Sequence, residues 1–323
     1  MIRVGIIGFG KSARIFHLSS LKLLSDKFTV IAFLSSQADL IKKEYPSAEV
    51  YSEINSFLNN SKIDLVIITS PNHLHYQQAK SSLMAGKHVI VEKPFVIDSK
   101  EGEDLINIAK SRNLKLSVYH NRRWDKGFLT AIELIKNKQL GDIYHYETHF
   151  DRWRPEVVDN WKNSKQIGSG LLYDLGSHLI DQALFLFGEP AIIIADVDRQ
   201  RPNSNSTDYF HLILKYKSKM RVILHASCLT QNPGNHITIH GSEGTFTEKN
   251  LDLQESNLLK GLDPVSYQNF YIEMAEAILN NAPVPVKAEE ALAVIKIIHQ
   301  IETQSLNQFS QSIQIENSFP LLK

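Results

Sequence analysis

The chain contains 323 residues, so two packed domains are expected, because a typical domain has about 100 to 200 residues. It carries 35 basic and 35 acidic residues, and this balance gives no overall attraction to nucleic acid or to a membrane surface. The single cysteine, Cys228, excludes a disulfide framework, and no apolar run approaches the roughly 18 residues of a membrane-spanning helix. The chain enters a strand pattern at Ile2 without a charged and apolar leader, so we expect a cytoplasmic protein.

Short apolar runs and amphipathic segments alternate through the first part of the chain. This alternation is typical of βαβ units, in which right-handed crossovers build a parallel sheet covered by helices on both faces. The clearest helix is predicted from Glu101 to Arg112, with Asp98 or Ser99 as its N-cap. We therefore expect residues 1–122 to form a doubly wound α/β domain whose ligand crevice lies at the carboxyl ends of its strands. The strands are predicted at Arg3–Gly8, Thr29–Leu34, Ala48–Tyr51, Leu65–Thr69, His88–Val91 and Leu116–Tyr119.

The pattern changes beyond residue 122 to longer stretches of alternating polar and apolar residues, which predict antiparallel strands. Residues 123–323 are therefore expected to form a second domain of α+β type, which ends in a loose polar tail. Its strands are predicted at Ile143–Phe150, Ala191–Asp198, Tyr209–Tyr216 and Arg221–Ser227. Its helices are predicted at Phe128–Lys136, Leu171–Phe187, Tyr267–Asn280 and Glu289–Gln304.

A glycine-rich turn, Gly8-Phe9-Gly10-Lys11-Ser12-Ala13, follows the first predicted strand and opens a helix. This is the context that a dinucleotide-binding fingerprint requires. Gly8 permits a tight turn, Gly10 leaves room for a pyrophosphate, and Ala13 lets the helix pack on the strand. Free backbone N–H groups and the helix dipole would then hold the phosphates. A plain tight turn between a strand and a helix is the alternative interpretation.

The end of the second predicted strand lacks the carboxylate that would bind the ribose hydroxyls of NAD. The chain has Ser35 and Ser36 there, with Lys42 and Lys43 a turn or two away. Two hydroxyls and nearby ammonium groups suit the 2′-phosphate of NADP better than a free diol. We therefore expect NADP(H) to be preferred over NAD(H), although capping of the next helix would also explain the two serines.

Polar residues follow two neighbouring buried strands where the strands end. Thr69-Ser70-Pro71-Asn72 follows one strand, and Glu92-Lys93-Pro94 follows the next. The carboxyl ends of parallel strands meet at one edge of the sheet, which is the usual position of working groups. The ammonium group of Lys93 can donate a hydrogen bond to a substrate hydroxyl and stabilise negative charge on its oxygen. The alternative is a solvated lysine at the end of the strand.

A helix in the second half carries Asp174, His178 and Asp181, whose spacing places them on one face. A carboxylate beside an imidazole orients the ring and raises its basicity, as a proton-transferring group needs. A polar helix face without a catalytic role is the alternative.

His145, Glu147 and His149 alternate along one predicted strand. They lack the helical HExxH spacing of a zinc protease and indicate a solvated sheet face, so no metal site is predicted.

Several of these motifs together resemble the Gfo/Idh/MocA oxidoreductase family. The resemblance rests on the Gly8 turn, on Glu92-Lys93-Pro94, on the segment Asn121-Arg122-Arg123-Trp124-Asp125 and on Asp174 with His178. Within that family the chain is most similar to the bacterial NADP-dependent scyllo-inositol 2-dehydrogenases. The resemblance implies an N-terminal Rossmann domain and a C-terminal α+β domain with a large, mostly antiparallel open sheet. It also implies a homodimer or homotetramer built through that sheet.

The resemblance assigns roles to individual residues. It implies that Lys93, Asp174 and His178 are catalytic. Asn121, Arg123 and Tyr173 are expected to line the substrate site with Lys93 and His178, although the arginine could instead pair with an acid. The residues expected to bind the cofactor lie at the carboxyl edge of the first sheet: Gly8, Phe9, Gly10, Lys11, Ser12, Ala13, Ser35, Ser36, Thr69, Ser70, Pro71, Asn72, His75, Glu92 and Lys93.

Two features depart from the family's pattern. Relatives of this type have Ser-Arg where this chain has Ser35-Ser36, so an arginine clamp for the 2′-phosphate is missing. The stretch from Gly244 to Tyr271 is also shorter than theirs, by a few dozen residues, at the expected edge of the second sheet.

The sequence thus predicts an NADP(H)-dependent oxidoreductase that interconverts a secondary alcohol and a ketone on a cyclic polyol or sugar, such as scyllo-inositol. His178 would move the hydroxyl proton while Lys93 holds the oxygen, and the nicotinamide would exchange a hydride with the ring carbon. Two alternatives remain open. One is a dehydrogenase of an aldose or ketose, and the other is a non-catalytic sensor of nucleotide or sugar with the same fold.

Overall fold

The structure, a computed structural model, describes residues 1–158, 163–249, 264–305 and 311–314. The chain divides into two units. The first comprises residues 1–124 and 264–292, and the second comprises residues 125–263 and 293–323. This division differs from the expected boundary near residue 122 in one respect, because residues 264–292 group with the first unit.

Six parallel strands form the sheet of the first unit, in the order β3-β2-β1-β4-β5-β6. Every residue of Leu65–Ile68 is fully buried, as expected for a parallel strand that is covered on both faces. The strand order reverses between β1 and β4, and this is where such sheets bind ligands. The predicted doubly wound sheet is therefore confirmed. The strands are β1 (Ile2–Ile7), β2 (Phe28–Leu34), β3 (Glu49–Tyr51), β4 (Leu65–Ile68), β5 (His88–Val91) and β6 (Leu116–Val118).

The helices of the first unit connect its strands, and one of them begins at a predicted capping signal. Asp98 accepts a hydrogen bond from the backbone N–H of Lys100 and forms a capping box with Glu101, so the predicted N-cap is confirmed. A π-helical turn (Ala13–His17) leads into α1, and 3₁₀ turns span Asn72–Leu74 and Asn121–Trp124. The α-helices are α1 (Leu18–Leu23), α2 (Ala38–Glu44), α3 (Ile54–Leu58), α4 (His75–Met84), α5 (Ser99–Ser111) and, later in the chain, α8 (Pro264–Asn280).

Seven strands form the sheet of the second unit, in the order β12-β11-β7-β10-β9-β8-β13. All neighbouring pairs are antiparallel except β7 with β10. The expected mostly antiparallel sheet is therefore confirmed. Its strands are β7 (Ile143–His149), β8 (Ile192–Asp198), β9 (Tyr209–Lys215), β10 (Arg221–Ser227), β11 (Asn235–Gly241), β12 (Thr245–Lys249) and β13 (Gln311–Gln314). Its helical segments are α6 (Lys126–Lys136), a π-helical turn (Leu172–Gly176), α7 (Ser177–Phe187) and the later part of α9 (Ala288–Ser305).

One face of the second sheet packs on helices and the other carries polar residues. Tyr146, Phe210, Leu212 and Leu224 point into a core that also contains Leu179. The strand residues between them, which alternate to the opposite face, are partly exposed. This opposite face bears the histidines of the predicted solvated strand face.

Three strands of the second sheet were not predicted. β11 and β12 contain few apolar residues, and they are stabilised as strands by the pairing of β11 with β7 and with β12. β13 lies in the region predicted as a loose tail, and it pairs antiparallel with β8. Within the described ranges, no helix combines the length and the apolar character needed to cross a bilayer.

Candidate active site

The turn after β1 has the backbone shape of a nucleotide-binding loop. Gly8 has φ = +96°, and a Cβ atom there would lie 2.7 Å from Oγ1 of Thr69. Only glycine suits this position, because both the dihedral angle and the close neighbour exclude a side chain. At Gly10, in contrast, a Cβ atom would meet no described atom within 4 Å. Open space beside this backbone is what an approaching phosphate requires.

A cleft of ≈ 550 Å³ opens beside the turn. Arg14 lies in it, with its guanidinium 2.7 Å from Oε1 of Glu44 and 5.6 Å from the centre of the Phe9 ring. Sequence analysis missed Arg14 and Glu44. Arg14 could have been recognised from its position directly after the glycine fingerprint. Glu44 had no such signal, because it lies 30 residues further along the chain. The lining residues are Phe9, Gly10, Lys11, Arg14, Ile15, Leu18, Gln37, Glu44 and Tyr45.

The carboxylate of Glu92 connects the nucleotide turn to Lys93. Its Oε1 accepts a hydrogen bond from the hydroxyl of Ser12 and lies 2.9 Å from Nε2 of His17. Its Oε2 accepts a hydrogen bond of 3.0 Å from the backbone N–H of Lys93. Nδ1 of His17 contacts the hydroxyl of Tyr271 in α8. One buried carboxylate therefore fixes the backbone of Lys93 relative to the turn.

The surroundings of Glu92 keep its side chain ionised. Burial alone would raise its pKa, but the hydrogen bonds from His17 and Ser12 and the positive charge of Lys93 outweigh burial and lower the pKa to about 2. His17 is fully buried, and its ring lies 4.1 Å from that of Tyr119, measured between ring centres. Sequence analysis missed His17, because its partners lie 75 and 254 residues away along the chain.

His75, which was expected to bind the cofactor, has a different environment. It is 1% exposed, and its ring nitrogens lie 2.8 Å from the carbonyl oxygen of Pro94 and 3.0 Å from that of Ser70. Burial lowers the pKa of its imidazole. A ring enclosed in this way is not available to a ligand. His75 instead joins the loop after β4 to the loop after β5, and so positions other members of the expected cofactor site.

The remaining residues after β4 lie at the carboxyl edge of the sheet, as expected. The hydroxyl of Thr69 donates a hydrogen bond of 2.9 Å to the carbonyl of Ile7, beside the nucleotide turn. Ser70 and Pro71 are partly exposed, and Asn72 is buried in a 3₁₀ turn. These residues border the switch point between β1 and β4.

The structure gives Ser35 a role in the turn before α2. Oγ of Ser35 accepts a hydrogen bond of 3.2 Å from the backbone N–H of Gln37, just before α2. Ser36 is exposed. Nζ of Lys42 donates to the carbonyl of Ala48 at 2.7 Å, so this ammonium group already has a protein acceptor.

Asn121 and Arg123, expected to contact substrate, are 7% and 5% exposed in the 3₁₀ turn after β6. The guanidinium of Arg123 lies 2.7 Å from Oε2 of Glu290, within the same unit. This agrees with the alternative interpretation, in which the arginine pairs with an acid.

In the second unit, Asp174 and His178 lie four residues apart on a continuous helical segment. Asp174 is in the π-helical turn, and its backbone N–H donates to the carbonyl of Gly170 at 3.0 Å. π-helical turns are rare and often occur at functional sites. Asp174 is partly exposed, whereas His178 and Asp181 are 5% and 2% exposed in α7. The carboxylate thus lies nearer the surface than the imidazole.

Tyr173 does not form the expected wall of the substrate site within this unit. It is 1% exposed and packs in the core, and its hydroxyl donates to Oε2 of Glu302 in α9 at 2.9 Å. The reason is local, because Tyr173 precedes Asp174 and so turns away from the more exposed side of the helical segment.

The first unit fits a bound dinucleotide. The open space at Gly10, the helix start that follows, and the cations of Lys11 and Arg14 in the cleft suit the phosphates. The backbone of Gly8, Phe9, Ser12 and Ala13 would hold the pyrophosphate of the dinucleotide. The loop after β4 would border the rest of the dinucleotide.

Two family models match most of the chain. The model of the oxidoreductase family with an NAD-binding Rossmann fold matches residues 2–120, and that of the GFO/IDH/MocA C-terminal domain matches residues 128–247. The chain is 38% identical to scyllo-inositol 2-dehydrogenase (NADP(+)) IolW of Bacillus subtilis, over 92% of each chain. It is 31% identical to D-glucoside 3-dehydrogenase of Escherichia coli, over 59% of this chain and 55% of that one.

The fold also matches a solved structure. The oxidoreductase YvaA from Bacillus subtilis superposes with a TM-score of 0.91 at 37% identity, and the match covers 98% of both chains. Two family models match the chain, and its similarity to known members extends over nearly its whole length. The chain therefore belongs to the Gfo/Idh/MocA family of NAD(P)-dependent oxidoreductases.

Proposed function

We propose that this chain is an NADP(H)-dependent dehydrogenase that interconverts a secondary alcohol and a ketone on a cyclic polyol or sugar of the scyllo-inositol type. The proposal rests on Lys93. Its backbone N–H donates a hydrogen bond to the side-chain carboxylate of Glu92. The same carboxylate accepts a hydrogen bond from the hydroxyl of Ser12 in the nucleotide turn. The backbone that carries the ammonium group is therefore fixed at the edge of the sheet where such folds bind their ligands.

The proposed roles divide binding from proton transfer. Nζ of Lys93 donates a hydrogen bond to the substrate oxygen and stabilises the negative charge that grows there during oxidation. An imidazole nitrogen of His178 accepts the hydroxyl proton, and Asp174 orients the ring for this step. A bound nicotinamide supplies the acceptor or donor of the hydride. Asn121 and Arg123 would orient the other hydroxyls of the substrate, with the arginine remaining paired to Glu290.

The preference for NADP(H) over NAD(H) is supported by charges in the cleft. The ribose end of a dinucleotide lies beyond the second strand in this fold, next to α2. Arg14 lies near Glu44 at the end of α2 and would meet a 2′-phosphate there. It would replace the arginine that this chain lacks at Ser36. The similarity to an NADP(+)-dependent enzyme agrees with this assignment.

A substrate panel tests the proposal. Purified protein would be mixed with NADP⁺ or NAD⁺ and with scyllo-inositol, myo-inositol, free aldoses, ketoses and glucosides, while the absorbance of the reduced nicotinamide is followed. We expect turnover with an inositol and NADP⁺. Turnover confined to glucosides or free sugars would support the second candidate, which the resemblance to D-glucoside 3-dehydrogenase favours. Nucleotide binding without turnover of any member would support a sensor.

We also propose that the chain forms a homodimer or homotetramer through the second sheet. The support is the face of that sheet opposite the helical core, where the side chains of β7, β9 and β10 are only partly exposed. Light scattering coupled to size-exclusion chromatography measures the mass directly. A monomer at all concentrations would exclude this assembly.

A further inference from the structure

Three side chains of types that can bind a metal ion lie together on the second sheet, on the face opposite its helical core. His149 and Asp151 come from β7 and the residues just after it, and His225 comes from β10. β7 and β10 are paired in parallel, with His225 directly opposite His149. Tyr146, Thr148 and Phe150 alternate with the β7 residues and are buried toward the core. We call His149, Asp151 and His225 the His149 cluster.

The ligand atoms of the His149 cluster lie close to one another. One nitrogen or oxygen from each residue lies within 4.8 Å of the other two. Nδ1 of His149 is 3.1 Å from Oδ2 of Asp151, and Nδ1 of His225 is 2.8 Å from Oδ1 of the same carboxylate. Ligand atoms around a tetrahedral zinc ion are about 3.3 Å apart, because each bond is about 2.0 to 2.1 Å long. The two nitrogen-to-carboxylate distances are within a few tenths of an ångström of that spacing.

The groups around the cluster are arranged as they are around protein metal sites. Nε2 of His149 is 2.7 Å from Oε1 of Glu147, so a carboxylate holds the ring with Nδ1 directed into the cluster. Metal-binding histidines commonly have such a partner on the other ring nitrogen, where it fixes the ring and raises its basicity. The backbone N–H of Ser227 donates to Oδ1 of Asp151 at 3.1 Å and fixes this carboxylate in the same way.

The second ring of the cluster has a buried nitrogen whose hydrogen bonding is incomplete. Nδ1 of His225 is buried and lies 2.8 Å from Oδ1 of Asp151, an ion-pair distance, but it has no well-formed hydrogen bond with the described residues. A buried nitrogen without a hydrogen bond is unfavourable, and coordination of a cation would remove the cost.

We propose that His149, Asp151 and His225 bind one first-row divalent metal ion, with Zn²⁺ as the best-suited candidate. Two imidazoles and one carboxylate are the mixed N and O ligands that zinc accepts, with a water or a further ligand in the fourth position. The ion would join β7 to β10, which are paired in parallel. This site is independent of the proposed dehydrogenase function and departs from the metal-free strand face expected from sequence.

The test measures Zn²⁺ binding to tag-free, full-length protein that has been treated with chelator and then dialysed. Titration calorimetry, with metal analysis after equilibrium dialysis, should show one equivalent of Zn²⁺ per chain and a rise in Tm. Asp151→Asn and His225→Gln should each weaken binding by at least about tenfold and abolish the Tm rise, and Glu147→Gln should weaken binding about 10- to 100-fold. His240→Gln, a histidine on the same sheet outside the cluster, should bind Zn²⁺ like the wild type.

Absence of one-equivalent binding would overturn the proposal, as would unchanged binding in both ligand variants or equal loss in His240→Gln. If the ligand variants fail to fold, the Co²⁺-loaded wild type decides. Strong visible absorption typical of four- or five-coordinate Co²⁺ with nitrogen ligands supports the site, and the weak spectrum of hydrated Co²⁺ overturns it.

Discussion

The carboxylate of Glu92 lies 2.9 Å from Nε2 of the fully buried His17, although 75 residues separate the two in the chain. Glu92 follows β5, and His17 ends the π-helical turn that opens the nucleotide-binding helix. Their contact therefore links the expected phosphate site to the expected catalytic lysine through one charged group. This arrangement gives Glu92 a measurable influence on stability as well as on activity.

Glu92→Gln should change how stability depends on pH. The pKa of Glu92 is lowered from 4.5 to about 2 in the folded protein, so its ionised form stabilises the fold above about pH 4.5 and this contribution is lost as the pH falls toward 2. The wild type should therefore lose up to about 3 kcal/mol more unfolding free energy than the variant across that interval. Urea unfolding between pH 2.5 and 7 measures this. A difference between the two proteins that is independent of pH would contradict the assignment.

Lys93→Met should remove most of the turnover. Loss of one hydrogen-bond donor to a developing oxyanion lowers kcat about 10²- to 10³-fold, whereas nucleotide affinity should fall much less, because Lys93 is one of many residues expected to bind the cofactor. Steady-state kinetics and quenching of protein fluorescence by NADPH separate the two effects. Lys100→Met, at an exposed position of α5, is the matched control and should retain full activity. A Lys93→Met enzyme of normal kcat would remove this residue from the mechanism.

His178→Gln should slow the same reaction by loss of the proton acceptor. General acid–base groups contribute about 10²- to 10⁴-fold, and the pH dependence of kcat should become flatter in the variant. Asp174→Asn should cause a smaller loss, because that carboxylate acts through the imidazole. If both variants keep the wild-type pH profile, proton transfer is carried out by another group.

Arg14 and Glu44 should control the choice between the two nicotinamide cofactors in opposite directions. Arg14→Ala removes the cation expected at the 2′-phosphate and should raise KM for NADPH about tenfold, with little change for NADH. Glu44→Gln frees the guanidinium from its 2.7 Å partner and should lower KM for NADPH. Lys43→Ala is the discriminating control. If Lys43→Ala changes the ratio of KM for NADPH to KM for NADH while Arg14→Ala does not, the 2′-phosphate is bound by the lysines after Ser36.

Tyr173→Phe should reduce stability and leave catalysis nearly intact. The hydroxyl of Tyr173 donates to Glu302, whose pKa is raised because burial outweighs this hydrogen bond. Removal of the donor leaves the carboxylate poorly satisfied and should cost about 1 to 3 kcal/mol of unfolding free energy. Tyr144→Phe, at an exposed tyrosine, is the control. A fall in kcat/KM without loss of stability would restore Tyr173 to the substrate site.

Features that depend on neighbouring residues in the chain were predictable from the sequence. The apolar runs of β4 and β5, the capping signal at Asp98 and the glycine turn at Gly8 each act over a few residues, and each appears in the structure as expected. The start of α8 was predicted within three residues, at Tyr267 against the observed Pro264.

Features that depend on distant partners were not predictable. His17 had no recognisable motif, since its contacts with Glu92 and Tyr271 arise only when the sheet and α8 pack together. Tyr173 was expected to line the substrate site, but its hydroxyl donates a hydrogen bond to Glu302, 129 residues away in the chain. The strand Gln311–Gln314 has too few apolar residues to be recognised without its partner, β8.

The return of residues 264–292 to the first unit determines when that unit can finish folding. Tyr271 contacts His17, the ring of Phe270 lies 4.8 Å from that of Tyr119, and the carbonyl of Val286 accepts a hydrogen bond from Ser117. During synthesis the ribosome must therefore produce the entire intervening segment before the nucleotide-binding half acquires its last helix. A gene fragment that stops after Trp124 would encode an unfinished half with apolar and polar groups uncovered, so that half is not a separable module.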